Sequence, residues 1–477
     1  MEKPGQKIKP HISLIIVGLC LPFLLWAVCK ILPTHDDWAT LTRPTFEPLF
    51  VKERWLFYGY HWRPFDSLFG YILGLNPQLI YPELNHFCVI LGHALCSYLV
   101  FYILTVLKFR SLAINIATLY FFIAPATMAT VSAVDSMNQV YALFWGMISF
   151  IIYIKIYKWK YPLWIITIYI ATLCKENGIL WALIGPCLAY GFDIINWKVL
   201  KKDIVIATVL MSIYALLILL LPSDITIADS YVPGYIKSIH NFVKFIFTSF
   251  ITVDYIYLLH QPHRNLILAC ISLIPTLPFF YYIYIKNKKL FLEKKMLFVI
   301  LCLLFAVAPH IFTVFSMMHT YAGMTLLAFM VALGIEKCKV DIKPLILSFI
   351  LFCLSAVVIN YHLIKSSIES GLIGKQMAQE AINKTGKPVN SVYVIIIEDD
   401  YPKLSSFCVI PNEAFGWGLA SQYETNYQWP KIISDTTIER SGEALRYAKD
   451  ISSRILNNKE YECVWIVNGK DINVIKN

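Results

Sequence analysis

Charge is what this 477-residue chain has least of. Asp, Glu, Lys and Arg together make up 15% of it, where a soluble globular chain carries about 25%. The deficit is concentrated in long uncharged runs, among them residues 204–221, 266–284 and 345–363. Each approaches the roughly 20 apolar residues that cross a hydrocarbon core of about 30 Å. One such run fits a buried soluble core; a series of them separated by short basic loops does not. The twelve cysteines include no C-x-x-C pair, which excludes a zinc or redox framework of that kind. Most lie inside apolar runs, where a thiol behaves as a small hydrophobe. Cys408 and Cys463, in the more polar tail, could pair only if that tail lies outside the cytoplasm.

What is present is apolar: 58% hydrophobic residues and a mean hydropathy of +0.60. The net charge of +10 comes from Lys and Arg in the loops between apolar runs. These residues read as topology determinants, and no nucleic-acid partner is expected. Lys3, Lys7 and Lys9 precede an apolar run at 12–32 with no small-x-small cleavage site after it. That pattern predicts an uncleaved signal anchor with its N-terminus in the cytoplasm.

Further spans follow at 88–107, 112–132 and 140–154, with Lys108, Arg110, Lys155, Lys158 and Lys160 falling on one side. As a single helix, residues 162–190 would be about 45 Å long and would bury Lys175 and Glu176 near mid-membrane. A hairpin turning at Lys175-Glu176-Asn177 avoids both problems. A span ending near 221 and spans at 266–285, 296–315, 322–335 and 345–363 complete an expected count of about eleven. The segment 241–259, interrupted by Lys244 and Asp254, reads as an amphipathic helix on the outer surface.

From residue 366 the composition becomes that of a soluble domain. Strands are predicted at 391–397, 407–410 and 463–467, and a helix at 437–456. The fold class expected is therefore an all-α polytopic membrane protein, residues 1–365, with a small C-terminal α/β domain, 366–477, outside the cytoplasm. This tail carries neither a Gly-rich phosphate loop nor a nucleophile elbow.

Chemistry is sought where spans meet water. His35-Asp36-Asp37-Trp38 opens the first long outer loop. Adjacent carboxylates at a membrane rim repel each other, which can raise one toward the range of a general base; an ordinary solvated loop also accommodates them. Further along, Tyr58-Gly59-Tyr60-His61-Trp62-Arg63-Pro64-Phe65 sets a cation among aromatics at headgroup level. Arg can grip a phosphate with two parallel hydrogen bonds, and an aromatic-anchored interfacial helix has the same composition. Lys175-Glu176-Asn177 places ionisable groups at membrane depth, where they are costly. Lys175 is a candidate phosphate ligand or one half of a structural ion pair.

In order, Asp36-Asp37, Trp62-Arg63-Pro64-Phe65, Gly74-Leu75-Asn76-Pro77, Asn85, Leu91-Gly92-His93-Ala94-Leu95, Ala124-Pro125, Ser132-Ala133 and Leu173-Cys174-Lys175-Glu176-Asn177-Gly178 resemble the GT-C superfamily of polyprenyl-phosphate-sugar-dependent glycosyltransferases. The likeness covers roughly residues 10–335 and is greatest to the transmembrane-and-tetratricopeptide O-mannosyltransferases. It implies that Asp36 is the catalytic carboxylate with Asp37 its neighbour, that Arg63 and Lys175 lie close to the lipid phosphate, and that Glu176 is a further substrate-binding residue. It also implies substrate contacts from Met318-His319-Thr320-Tyr321, where His319 stands in place of the more usual Arg. The tail departs from that branch, with no tetratricopeptide repeat.

The resemblance further implies a polyprenyl-phosphate-linked sugar donor and inversion at the anomeric carbon. The acceptor would be a lipid, glycan or protein, the setting the membrane lipid of a bacterial inner membrane, and no organic cofactor is called for; a need for a divalent metal stays open. Two rivals act on similar material. A transporter or flippase of lipid-linked sugars would account for the spans and for Lys175, but less well for the acid pair and the Arg-Pro motif, and no half-to-half repeat is visible. A polysaccharide ligase or polymerase would carry its essential groups in a late outer loop.

Overall fold

The computed structural model describes residues 11–34, 82–133, 136–220, 234–251, 262–313, 315–337, 342–398, 411–418, 420–421 and 433–476. Helix α1 is Ile12–Val28, α2 Pro82–Val106, α3 Ser111–Ile123, α4 Pro125–Val131, α5 Met137–Lys155, α6 Lys160–Cys174, α7 Trp181–Gly191 and α8 Trp197–Leu220. Then come α9 Tyr235–Ile246, α10 Pro262–Ile283, α11 Lys294–Phe312, α12 Tyr321–Lys337 and α13 Ile342–Thr385.

Every expected span coincides with one of these helices or, at 112–132, with the pair α3–α4. Among the described residues five helices are long and apolar enough to cross a membrane each, and α3 with α4, bent by 49°, makes a sixth, fewer than the eleven expected. The chain is a multi-pass integral membrane protein. Helix α7, with 11 residues, rises only about 16 Å and does not cross alone.

Pro125 breaks the α3–α4 span, because a proline has no N–H to give and its ring crowds the preceding turn. A break inside hydrocarbon leaves carbonyls that must find partners within the protein. All four here do. Thr127 Oγ1 donates to Phe121 O at 3.0 Å and to Ala124 O at 2.6 Å. His93 Nε2 reaches Phe122 O at 3.1 Å, and Asn360 Nδ2 reaches Ile123 O at 2.9 Å. Three helices thus lock one bend.

The segment 162–190 reverses as expected. A Cβ on Gly178 would sit 2.3 Å from the Ala171 carbonyl carbon, while one on Gly185 would be 3.8 Å from Trp164. Seven residues forward on one side pair with seven backward on the other, which is the signature of an antiparallel return. The turn itself is extended at Lys175 and then tightens into a short 3-10 helix, Glu176–Leu180.

The basic loops gather at one end of the bundle. Lys294 meets Asp193 at 2.6 Å, Lys337 meets Glu293 at 3.1 Å and Arg110 meets Glu336 at 3.8 Å. The fully buried Asp203 accepts from Tyr161 at 2.9 Å and from Tyr153. Helix α9 lies at the other end, its polar Asn241 donating to Ile311 O and Thr313 O at 3.0 and 3.1 Å. It is the described part of the expected amphipathic segment, beginning and ending earlier; residues 252–259 lie outside the described ones.

Helix α13 is 44 residues long and passes residue 365 without interruption. Its second half carries Ile373, Met377, Ala378 and Ala381 into a core with the C-terminal sheet. The strands are β1 Val392–Ile397, β2 Ile433–Ile438, β3 Cys463–Asn468 and β4 Asp471–Lys476, in the order β2-β1-β3-β4. Strand β1 runs parallel to β2 and β3, and β4 is antiparallel to β3. A further helix, Ala444–Asn457, covers the opposite face through Ala444, Ala448 and Leu456.

Two expectations for this region need correction. Residues 437–438 end a strand instead of opening a helix, because Gly442 and its polar neighbours interrupt the pattern. Strands β2 and β4 were not anticipated, since an edge strand has little continuous apolar character of its own. The strand expected at 407–410, with Cys408, lies outside the described residues; Cys463 is buried in β3.

Candidate functional site

The end of the bundle opposite the basic loops contains the polar groups that the spans enclose. Lys175 is the residue after α6, with φ −156° and ψ 140°. Its N–H still donates to Ala171 O at 3.1 Å, and its carbonyl accepts from Gly178 N–H at 2.8 Å. The backbone is therefore fixed on both sides of an extended residue, and the ammonium projects from a rigid point. Lys175 is 5% exposed.

The amide of Gln139, in the first turn of α5, satisfies both its neighbours in one orientation. Its oxygen accepts from Lys175 Nζ at 3.0 Å and its nitrogen donates to Met318 O at 3.2 Å. Met318 belongs to the short 3-10 turn Met317–Thr320 that precedes α12. The same turn is held by Thr130 Oγ1 against Met318 O at 3.5 Å and by Ser136 Oγ against Met318 Sδ at 3.4 Å. Thus the bend at Pro125 places α4 against the turn that Gln139 connects to Lys175.

His319 closes this turn as a capping box. Its Nδ1 accepts from Ser316 N–H at 2.9 Å and lies 3.2 Å from Ser316 Oγ. In the neutral ring that assignment puts the proton on Nε2. The His319 ring stacks on His310 at 3.9 Å between centroids, with 10° between planes.

Tyr321 is fully buried, and its hydroxyl lies 2.8 Å from His93 Nδ1. Because Phe122 O can only accept, His93 Nε2 is its donor, and Nδ1 accepts from Tyr321. Tyr321 therefore belongs to the scaffold of the bend. Glu176 is half-buried beside Lys175. Asp36, Asp37 and Arg63 lie outside the described residues. Just before that segment, Ile31 O pairs with His86 Nε2 at 3.1 Å and the Leu32 backbone packs against Gly371.

A small cavity of about 10 Å³, room for about one water, is lined by Gln139, Asn177, Gly178, Trp181, Ala306 and Ala322. Among the described residues no three His, Cys, Asp or Glu side chains converge on a metal-sized point. Of the predicted site, then, Lys175 is connected through Gln139 to the turn that carries His319; Glu176 is its chain neighbour, and Tyr321 is held by His93. Gln139 and His310 were missed. Their signal was available: polar residues at the first turn or last turn of an otherwise apolar run.

No family model matches the chain, and no curated protein matches it. Two solved structures align along nearly its whole length. One is the oligosaccharyltransferase of Archaeoglobus fulgidus tethered with an acceptor peptide, at 12% identity and a TM-score of 0.46, covering 96% of this chain and 69% of that one. The other is ArnT from Cupriavidus metallidurans bound to undecaprenyl phosphate, at 10% identity and a TM-score of 0.49, covering 97% and 98%. Both scores lie below one half, so the functional reading stands on the chain's own residues.

Proposed function

We propose that this protein is an integral membrane glycosyltransferase that moves a sugar from a polyprenyl-phosphate donor onto a lipid, glycan or protein hydroxyl. The observation that carries the reading is Lys175, a lysine 5% exposed on a rigid break between two embedded helices. An ammonium is costly at membrane depth. An anion delivered within the membrane, such as a lipid phosphate, gives that cost a purpose.

In this reading Asp36, with Asp37 beside it, takes the proton from the acceptor hydroxyl. The acceptor oxygen attacks the anomeric carbon from the face opposite the phosphate, with inversion, and the bond from that carbon to the phosphate oxygen breaks. The electron pair leaves on the lipid phosphate, whose charge Lys175 and Arg63 stabilise. His319, presenting Nε2–H, and Glu176 orient the donor, and Tyr321 supports the site through His93. We assign residues 1–365 to this catalytic part and 366–477 to an extracytoplasmic domain, in a bacterial inner membrane. The gathering of the basic loops at one end supports a cytoplasmic placing of that end.

The decisive experiment is Asp36→Asn, which keeps shape and hydrogen-bonding capacity but removes the base. Transfer from a labelled polyprenyl-phosphate sugar in membranes should fall by about 10²–10⁴-fold with donor binding retained. Full transfer in Asp36→Asn, Asp37→Asn and the double variant would refute the assignment and favour a flippase.

A further inference from the structure

The opposite end of the bundle holds a second built cluster, which glycosyl transfer does not use. The end of α5, the turn into α6 and the start of α8 carry Lys155, Lys158, Lys160, Lys198, Lys201 and Lys202. Among them stand three exposed aromatics: Tyr157 at 92% exposure, Trp159 at 61% and Trp197 at 50%. The two segments are pinned side by side. Lys160 Nζ lies 3.6 Å from the Tyr153 ring centre and 5.4 Å from that of Tyr161. Lys202 Nζ is 4.7 Å over the same Tyr161 ring, and Lys201 Nζ 5.3 Å over Trp197.

One described carboxylate, Asp203, faces six lysines here, and its field reaches Lys160. Asp203 is the carboxylate between the two segments, and Tyr153 and Tyr161 donate to its two oxygens. None of the six lysines forms an ion pair with a described carboxylate, whereas nearby Lys294 and Lys337 both do. Lys160 and Lys198 also stand in the first turns of α6 and α8, where the helix dipole is already positive. Cations there raise the local potential instead of relieving it.

We propose that this surface binds the headgroups of anionic phospholipids, with the lipid phosphate held among Lys160, Lys201 and Lys202. The class of partner follows from the combination. Unpaired lysines at a membrane rim attract negative lipid, and exposed indoles prefer the depth of the headgroups. A dissolved anion would give the exposed Trp159 and Trp197 nothing to do. The proposal is independent of the glycosyltransferase reading and of which leaflet this end meets.

The test uses the full-length protein in detergent, given equal amounts of phosphatidylglycerol and phosphatidylcholine, with bound lipids counted by native mass spectrometry. Phosphatidylglycerol should be retained in preference. The triple variant Lys160→Gln, Lys201→Gln, Lys202→Gln should lower its retention at least about tenfold and leave phosphatidylcholine unchanged. A control triple, Lys108→Gln, Lys289→Gln, Lys343→Gln, removes the same charge at the same end and should retain most of the preference. Equal loss in the two triples overturns the site, since overall charge would then suffice. If the first triple does not fold, Trp159→Ala with Trp197→Ala keeps every charge at exposed positions. A weakened phosphatidylglycerol preference there supports the proposal, and an unchanged one overturns it.

Discussion

Alanine at Gly178 tests the reversal on which the candidate site depends. A Cβ there would lie 2.3 Å from the carbonyl carbon of Ala171, 2.4 Å from its oxygen and 2.6 Å from the nitrogen of Thr172. All three are backbone atoms, so no flexible side chain can swing away and the two arms must separate. Overpacking of this kind costs about 1–3 kcal/mol, and a backbone obstacle argues for the upper end. Because Gly178 N–H is bonded to Lys175 O at 2.8 Å, the separation also moves the ammonium.

Gly185 is the internal control. Its Cβ would meet only Phe150 and Trp164 at 3.8 Å, ordinary contact, and alanine gains up to about 1 kcal/mol of helix propensity. Thermal unfolding of both variants in one detergent should show Gly178→Ala several degrees below the parent and Gly185→Ala level with it or above. A single continuous helix through 178 predicts the reverse for Gly178, since alanine favours a helix. A Gly178→Ala variant as stable as the parent would therefore refute the reversal.

Lys175→Met should leave expression and melting close to normal, because methionine fills a similar volume. Its affinity for a polyprenyl-phosphate sugar should fall about ten- to a hundredfold, the worth of a charge-assisted hydrogen bond; unchanged affinity with collapsed folding would identify a structural ion pair. Asn360→Leu strands the Ile123 carbonyl at the α3–α4 bend and should cost about 1–2 kcal/mol, read as a lower melting temperature; a neutral result would show that the bend is held without it. Reporter fusions after Lys289 and Lys339 should read cytoplasmic and one after Ser366 external, and a cytoplasmic signal from the last would displace the tail domain.

The sequence by itself determined where the helices are. Runs without charge have one stable form in hydrocarbon, because each backbone group must be satisfied within its own segment. The loops marked by Lys108, Lys155, Lys198, Lys294 and Lys337 could therefore be assigned to one end before any packing was known. The reversal at Lys175 was legible for the same reason, since 29 residues make too long a single helix for one bilayer.

Tertiary structure alone decided which polar groups meet. Gln139 and Met318 are far from Lys175 in sequence, and only the bend at Pro125, locked by His93 and Asn360, brings their elements together. The roles of neighbouring residues separate in the same way. His319 caps its own turn and stacks on His310, while Tyr321, two positions on, is turned to His93, a difference of helix phase that a short motif does not encode. The continuous α13 was likewise invisible in composition: its chain turns polar near residue 366, but a helix persists wherever one face still has a core to bury, first in the bundle and then against the sheet.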